Sequence, residues 1–154
     1  MTTLPLACAD DTTALGTAIA AALGDRPGAV VFLQGPLGAG KTTVARGLLR
    51  ALGVRGAIRS PTYTLLEPYE LAGRMLVHLD LYRLADVREL EPLGLRDYPP
   101  ERCWWLIEWP ERAAGRLPPA ALTVVLAHDG QGRRAMLDGP ASAGVVAEFS
   151  QTKV

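Results

Sequence analysis

Short apolar runs bounded by glycine and proline mark the strands that this chain buries most deeply. Residues 29–33 are apolar without interruption and follow Pro27 and Gly28. A continuous run of this kind is typical of a strand covered on both faces in a parallel sheet. Residues 103–107 form a second such run, which Pro110 closes. We therefore predict two buried strands in these positions.

Two further pairs of apolar segments predict β-hairpins. Residues 65–71 and 74–81 are separated by an Ala-Gly turn, and Pro68 favours an edge position for the first of these strands. Residues 122–127 and 133–137 flank a turn that contains two glycines.

Helical spacing of apolar residues predicts a first helix, with its N-cap within residues 10–12 and its end at Gly24. A second helix is predicted over residues 43–52 and is followed by glycine. Asp86 is expected to cap a short helix that runs through Leu90.

The order of these elements is strand, glycine-rich loop, helix and then further strands. It predicts the α/β fold class, as a single P-loop NTPase-like domain over residues 1–154. We expect a central, mostly parallel sheet with antiparallel hairpins, and helices on both faces of the sheet.

The glycine-rich loop carries the clearest chemical signal. Its eight residues satisfy the pattern G-x-x-x-x-G-K-[ST]: Gly35, Pro36, Leu37, Gly38, Ala39, Gly40, Lys41 and Thr42. Gly38 and Gly40 allow the backbone to curl so that N–H groups point at phosphate oxygens, and the start of the following helix adds positive potential. Lys41 supplies a point charge for the β- and γ-phosphates, and Thr42 offers a hydroxyl to Mg²⁺. The loop predicts a nucleoside triphosphate site, with ATP and Mg²⁺ as the expected cofactors.

Two carboxylates follow apolar runs and are candidates for the metal side of this site. Asp80 ends the run at residues 75–79, and Glu108 ends the run at residues 104–107. The carboxyl ends of parallel strands form the crevice in which open α/β sheets bind ligands. Spacing alone leaves open which of the two acids faces the metal.

Other positions keep two interpretations. The hydroxyl-rich residues 60–64 form either a turn before a strand or a segment that senses the γ-phosphate. His78 alternates with apolar neighbours and is expected to be structural, whereas Trp109 is either an edge of the core or a recognition surface. Arg46 and Arg50 belong to a solvated helix face or to a docking surface.

Composition narrows the function classes. Lys and Arg together number 16, as do Asp and Glu, so the formal net charge is zero. A neutral chain does not suit a protein whose affinity comes mainly from neutralising nucleic-acid phosphates. Cys103 opens an apolar run and is expected to be an inert, buried thiol. No apolar run approaches the roughly 20 residues of a membrane span, and we expect a cytoplasmic protein without membrane contact.

Taken together, the motifs of this chain closely resemble those of the TsaE (YjeE) family, bacterial ATPases required for making N6-threonylcarbamoyladenosine in tRNA. The motifs occur in the family's order and extend the resemblance over roughly residues 12–133. They are Gly38-Ala39-Gly40-Lys41-Thr42-Thr43, Ser60-Pro61-Thr62-Tyr63-Thr64, His78-Leu79-Asp80-Leu81-Tyr82-Arg83 and Ile107-Glu108-Trp109-Pro110.

The resemblance implies roles for individual residues. It makes Glu108, together with Thr42, the metal-side pair, and it implies that Asp80 acts near the γ-phosphate in hydrolysis. Thr43 would support the phosphate site, and Trp109 would serve activity or partner contact. Residues 37–43 would bind the nucleotide with Lys41 in a catalytic role. Thr12 and Arg133 match positions that contact the nucleotide away from its phosphates, although Thr13 and Arg134 are alternatives.

One position departs from the family. The family commonly has aspartate after the first glycine of the loop, where this chain has Pro36. Proline removes an N–H group and fixes φ, so any role of that aspartate is absent. We expect the phosphate cradle to survive, because its inward-pointing donors begin at Leu37.

The family resemblance also implies partners. It points to an accessory ATPase that binds the transferase subunit TsaD in a complex with TsaB and meets tRNA only indirectly through that complex. A small-molecule kinase is the alternative on the same loop, and a nucleotide-sensing scaffold with little hydrolysis is a third. A GTPase is disfavoured, because the chain contains no Asn and so lacks the Asn-Lys-x-Asp motif that reads guanine.

Overall fold

The computed structural model describes residues 1–152 and shows one seven-stranded sheet with three α-helices. The strands are β1 Thr2–Leu6, β2 Ala29–Gln34, β3 Leu66–Leu71, β4 Arg74–Asp80, β5 Cys103–Glu108, β6 Leu122–Asp129 and β7 Gly132–Asp138. The helices are α1 Ala9–Leu23, α2 Lys41–Ala51 and α3 Ser142–Thr152. Short 3₁₀ segments cover Val87–Leu93, Leu95–Asp97 and Pro110–Ala113.

The strands lie in the order β1-β7-β6-β2-β5-β4-β3. The four central strands, β6, β2, β5 and β4, run parallel to one another. The two predicted hairpins flank them as antiparallel pairs, β3 with β4 and β6 with β7. Pro68 lies on β3 at the sheet edge, where its missing N–H breaks no ladder. The predicted α/β class with a parallel centre and antiparallel hairpins is confirmed.

The sheet is covered on both faces, by different kinds of helix. Val31 and Leu33 of β2 belong to the core beneath the α-helices, together with Leu15, Leu48 and Val145. The alternate residues of the central strands face the opposite side. There Val30, Val77, Trp105 and Ile107 pack with Leu90 and Ala113 of the 3₁₀ segments. Successive side chains of a strand point to opposite faces, so the uninterrupted apolar runs correspond to strands buried on both sides.

Two glycines bring α1 and α2 into close contact. A Cβ atom added at Gly47 would lie 2.2 Å from the Thr13 carbonyl oxygen, and one added at Gly16 would lie 2.2 Å from the Val44 carbonyl oxygen. The helix backbones therefore approach more closely than any side chain at these positions would permit. Because α2 begins directly after the glycine-rich loop, this contact also holds the loop's end against α1.

Several sequence expectations need correction. The first helix begins at Ala9 with Cys8 as its N-cap, rather than within residues 10–12, and Cys8 makes no side-chain capping bond. The helix capped by Asp86 is a 3₁₀ segment that continues past Leu90 and includes Pro92. Neither β1 nor α3 was expected. Residues 153 and 154 of the predicted domain lie outside the described residues.

Within residues 1–152, no helix has both the length and the apolar character that crossing a bilayer requires.

The close helix contact makes a direct prediction about stability. Gly47→Ala should lower the free energy of unfolding by about 2 kcal/mol or more, because the new methyl group meets backbone that must move. Gly144→Ala is the matched control: its added carbon would lie 3.5 Å from the Ala22 Cβ atom, an ordinary contact. It should be neutral or stabilise the fold by up to about 1 kcal/mol, since alanine suits a helix interior better than glycine. Urea denaturation measures both, and equal midpoints for the two variants would show that the helices have room.

Candidate active site

The glycine-rich loop leaves the carboxyl end of β2 and leads directly into α2. Gly38 and Gly40 have φ angles of +78° and +109°, in the region that favours glycine. Gly40 is also crowded, because a Cβ atom there would lie 3.1 Å from the Thr12 methyl carbon. A turn within the loop is closed by the Ala39 N–H, which donates to the Pro36 carbonyl at 3.1 Å. The backbone thus forms a tight cradle at the start of a helix, a ready-made anion site.

Lys41 reaches back over this cradle. Its Nζ atom donates to the carbonyl oxygens of Gly35 at 2.6 Å and Pro36 at 2.9 Å. The side chain is 5% exposed, so the ammonium group is nearly buried. Burial lowers the pKa of Lys41, while the charges of Glu108, Asp80 and Glu111 act in the opposite direction. The contacts of Pro36 in the loop are made by its carbonyl oxygen, which accepts from Lys41 and Ala39. The missing N–H of proline is therefore compatible with the loop.

The two candidate acids lie at the same edge of the sheet. Asp80 is the last residue of β4, Glu108 is the last residue of β5, and the two are paired in register. Both are almost completely buried, at 4% and 2% exposure. Each ends its strand as predicted, and the parallel pairing of β5 with β2 puts Glu108 beside Leu33, just before the loop.

Glu108 is bound at both of its carboxylate oxygens. The Thr42 hydroxyl donates to Oε1 at 2.9 Å, and Oε2 lies 2.7 Å from Nε2 of His78. Thr42 is the second residue of α2, so this bond connects the helix start directly to the end of β5. The sequence left open which of the two acids lies on the metal side. In the structure, Glu108 rather than Asp80 contacts Thr42 of the loop.

Asp80 organises the hydroxyl-rich segment at residues 60–64. Its Oδ2 atom accepts hydrogen bonds from the hydroxyls of Ser60 and Thr62, each at 2.9 Å. Its Oδ1 atom accepts from the Tyr82 N–H at 3.0 Å. The segment is therefore more than a turn before a strand, because two of its hydroxyls are held at the site by a buried carboxylate.

An aromatic wall closes the site beside Lys41. The Trp109 ring centroid lies 4.4 Å from Lys41 Nζ and 5.0 Å from the Tyr82 ring. Trp109 has φ of +60°, a conformation that costs an ordinary residue roughly 1–2 kcal/mol. The backbone N–H of Trp109 donates to the Leu33 carbonyl at 3.2 Å. This strained backbone turns the indole toward the lysine, where a cation–π contact forms.

These groups line one cavity of about 450 Å³. Its walls come from the loop, the segment at residues 60–64 and the carboxyl ends of β4 and β5. The lining residues are Leu37, Gly38, Gly40, Lys41, Thr42, Thr43, Ser60, Thr62, Asp80, Tyr82, Glu108, Trp109 and Arg133. The glycine-rich loop, a buried lysine and two buried acids thus meet in a single pocket.

Comparison with known proteins identifies the family. The family model described as "Threonylcarbamoyl adenosine biosynthesis protein TsaE" matches residues 6–136, most of the chain. The chain belongs to the TsaE family. Its members carry a name that refers to the biosynthesis of threonylcarbamoyladenosine.

Individual relatives agree with this assignment. The protein named tRNA threonylcarbamoyladenosine biosynthesis protein TsaE from Haemophilus influenzae is 54% identical over 95 residues, which are 62% of this chain and 60% of that protein. The chain therefore aligns with less than two thirds of that relative's length. The TsaE protein of Treponema pallidum is 42% identical over 121 residues, covering 77% of this chain and 85% of the relative.

A solved structure supports the fold. The crystal structure of Bacillus subtilis YdiB superposes with a TM-score of 0.75 at 27% identity, covering 99% of this chain and 96% of that one. The TsaE assignment rests on the sequence comparisons, and this superposition supports the α/β fold.

Most residues that the TsaE resemblance indicates as site residues line the cavity, but Ala39 and Thr12 do not. Ala39 is fully buried, with only its backbone in the loop. Thr12 is also fully buried, and it packs behind Gly40 with its hydroxyl 3.5 Å from the Cys8 carbonyl. Their contacts with a nucleotide stay predictions.

The two arginine alternatives differ in position. Arg133 donates to the Gly38 carbonyl at 3.0 Å and lines the cavity, whereas Arg134 is exposed. For the first helix, Thr13 is exposed and its hydroxyl bonds to the Ala9 carbonyl, so Thr12 is the threonine beside the loop. Geometry therefore favours Thr12 and Arg133 over their neighbours.

Sequence reasoning missed two participants. Tyr82 lines the cavity and supplies both an aromatic contact and a backbone donor to Asp80. His78, expected to be structural, contacts the carboxylate of Glu108. The available signal was the alternation along β4, which puts His78 and Asp80 on the same side of the strand. Cys103 is buried as expected, and burial raises the pKa of its thiol.

The donor set around Thr42 and Glu108 suits Mg²⁺. Within residues 1–152, no group of three or more His, Cys, Asp or Glu side chains could hold a metal ion. Mg²⁺ does not require such a group, because it usually takes one or two protein carboxylates and completes its shell with substrate phosphates and water. Glu108 with the Thr42 hydroxyl, beside a phosphate cradle, is a protein contribution of that size.

Proposed function

We propose that this TsaE-family chain is a Mg²⁺-dependent ATPase. It would serve as an accessory subunit in the synthesis of N6-threonylcarbamoyladenosine in tRNA, driving turnover of the TsaB–TsaD transferase. The observation that carries the catalytic part is the meeting of Lys41, the Thr42–Glu108 pair and Asp80 at one cavity. The biosynthetic part rests on family membership.

Binding of the triphosphate would use the chain's own positive groups. The loop amides and the N-terminus of α2 supply partial positive charge, and Lys41 supplies a full one. Lys41 would exchange its contacts with the Gly35 and Pro36 carbonyls for the β- and γ-phosphates. Its burial strengthens this attraction, because charges interact more strongly where water is excluded. The preference for ATP over GTP rests on the absence of Asn from the chain.

Thr42 and Glu108 would hold the Mg²⁺ ion. Bound there, the ion would neutralise charge on the β- and γ-phosphate oxygens. The Thr42 hydroxyl and Oε1 of Glu108 bond to each other at 2.9 Å in this structure, and both would bind the ion instead. Oε2 of Glu108 would keep its contact with His78, so the carboxylate would stay in place.

Asp80 would act near the γ-phosphate through the hydroxyls it holds. Both of its oxygens are already engaged, by Ser60, Thr62 and the Tyr82 amide. A water molecule that attacks the γ-phosphorus would therefore be oriented by the Ser60 and Thr62 hydroxyls, with Asp80 fixing their direction. Attack would form the bond between the water oxygen and the γ-phosphorus as the bond from that phosphorus to the β–γ bridging oxygen breaks. The products would be ADP, with the bridging oxygen, and an inorganic phosphate that carries the oxygen and protons of the water. Thr43 lines the cavity at the helix start and would support the phosphate position.

Lys41→Ala and Glu108→Ala should each reduce Mg²⁺-dependent ATP hydrolysis by more than tenfold. Loss of one transition-state charge contact is worth about 2–4 kcal/mol. Released phosphate measured under single-turnover conditions checks this. The matched controls are Arg46→Ala, which removes an exposed cation from the same helix, and Glu70→Ala, which removes an exposed acid from β3. Hydrolysis at the wild-type rate in either site variant would contradict the assigned roles.

Reconstitution tests the biosynthetic role. TsaB, TsaD, the carboxylate-activating enzyme, tRNA, ATP, threonine and bicarbonate should give repeated turnovers only when this protein is added. The Lys41→Ala variant should not support repeated turnovers in place of the wild-type protein. The Arg46→Ala variant should still hydrolyse ATP as the wild-type protein does. Multiple-turnover synthesis that is indifferent to the protein would contradict the proposal. Transfer of the γ-phosphate to a metabolite instead of water would favour the small-molecule kinase.

A further inference from the structure

A completely buried histidine stands behind the acid that we assign to the metal. His78 lies on β4, has no exposed surface, and places Nε2 2.7 Å from Oε2 of Glu108. Its other ring nitrogen, Nδ1, is buried and has no hydrogen-bond partner among the described residues. The imidazole therefore makes its one polar contact with Glu108.

The two ring nitrogens of His78 have different surroundings. An ionised Glu108 carboxylate, the form that binds a metal ion, accepts hydrogen bonds and cannot donate them, so Nε2 would be the donor to it. A second proton on Nδ1 would be a buried donor without an acceptor, which is costly. With an ionised Glu108, the surroundings therefore favour hydrogen on Nε2 and a lone pair on Nδ1.

The two oxygens of Glu108 are thus held by different parts of the fold. Oε2 is held from β4 by His78, and Oε1 is held from α2 by Thr42. Rotation of the carboxylate about its terminal bond would break both contacts. When the Thr42 bond is exchanged for a metal ion, the His78 bond is the one that remains.

We infer that His78 is a positioning residue that fixes the Glu108 carboxylate so that Oε1, beside Thr42, is directed to the metal ion. This inference rests on the proposed function, because it assumes that Glu108 and Thr42 hold Mg²⁺. Partners of this kind, which orient a metal ligand from behind, typically change metal affinity by about 10–100-fold when they are removed.

A purely space-filling role does not account for the residue. Leu76, two residues earlier on the same side of β4, packs in the apolar core beneath the α-helices. A leucine at position 78 would fill space there without burying a polar ring that has an unpaired nitrogen. The imidazole is compatible with this environment because of the bond to Glu108.

The test separates the hydrogen bond from the volume of the side chain. His78→Leu keeps an apolar side chain and removes the donor, whereas His78→Gln keeps an N–H donor near the position of Nε2. Mg²⁺ is titrated into each protein in the presence of a fluorescent, non-hydrolysable ATP analogue, and binding is followed rather than hydrolysis. His128→Gln is the control, since His128 is exposed at the end of β6.

His78→Leu should raise the Mg²⁺ concentration for half-maximal binding by about 10–100-fold. Affinity for the analogue with excess chelator should change by less than about threefold, because the loop and Lys41 are untouched. His78→Gln should recover most of the Mg²⁺ dependence. Wild-type Mg²⁺ dependence in folded His78→Leu, or equal losses in the Leu and Gln variants, would overturn the inference. Failure of the wild-type protein to bind the analogue with Mg²⁺ would instead remove the proposed function.

A measurement on the unsubstituted ring covers the case in which His78→Leu does not fold. The chain has only two histidines, so ¹⁵N spectra of the wild type and His128→Gln assign the ring signals of His78. We expect a slowly exchanging proton on Nε2, with a signal that shifts when Mg²⁺ is added to the analogue complex. A proton on Nδ1 alone would overturn the inference.

Discussion

The parallel register of β2, β5 and β4 is the constraint on which the candidate site depends. It pairs Glu108 with Leu33, beside the start of the loop, and it pairs Asp80 with Glu108. Because the side-chain period of a strand is two, a shift of one residue would turn both acids to the other face. Such a shift would also exchange the side chains that β4 and β5 contribute to the two apolar cores, whose packing is specific to each face. Packing of the core therefore determines where the charges lie.

The charges brought together in this way are unbalanced within the protein. Among residues 1–152, the buried polar or charged side chains are Thr12, Lys41, His78, Asp80 and Glu108. All five belong to the loop, to its support or to the two strand ends. Two buried carboxyl groups there face one buried ammonium group. A divalent cation beside Glu108 would supply the missing positive charge. The phosphates of a bound nucleotide would then contact both Lys41 and the ion.

The loop and the two acids were predictable because their signals are local. Eight consecutive residues specify the phosphate cradle, and each acid directly follows an apolar run that marks its strand. β1 was missed because Pro5 interrupts a five-residue strand in which only Leu4 and Leu6 are buried. α3 was missed because Gly144 and a weakly amphipathic composition obscure its helical pattern. Both elements are held by tertiary packing rather than by propensity.

The contacts between residues of the site could be recognised only from the structure. Ser60 and Thr62 are close to Asp80, and His78 is close to Glu108, although 18 to 30 residues separate the partners. Such contacts depend on strand order and register, which no local pattern encodes. The strained backbone of Trp109, which directs its ring to Lys41, is equally invisible in the sequence. The components were therefore predictable from the sequence, whereas their arrangement was not.

The central claim is that the Thr42–Glu108 pair forms the protein side of a metal–nucleotide site. It is tested most directly by a crystal structure of the protein with a non-hydrolysable ATP analogue and Mn²⁺ in place of Mg²⁺. The anomalous scattering of Mn²⁺ then locates the ion without any assumption about its ligands. We predict a single strong peak in contact with the Thr42 hydroxyl and next to the Glu108 carboxylate, with the analogue's phosphates in the loop. A peak on another acid, or a nucleotide bound outside this cavity, would contradict the account.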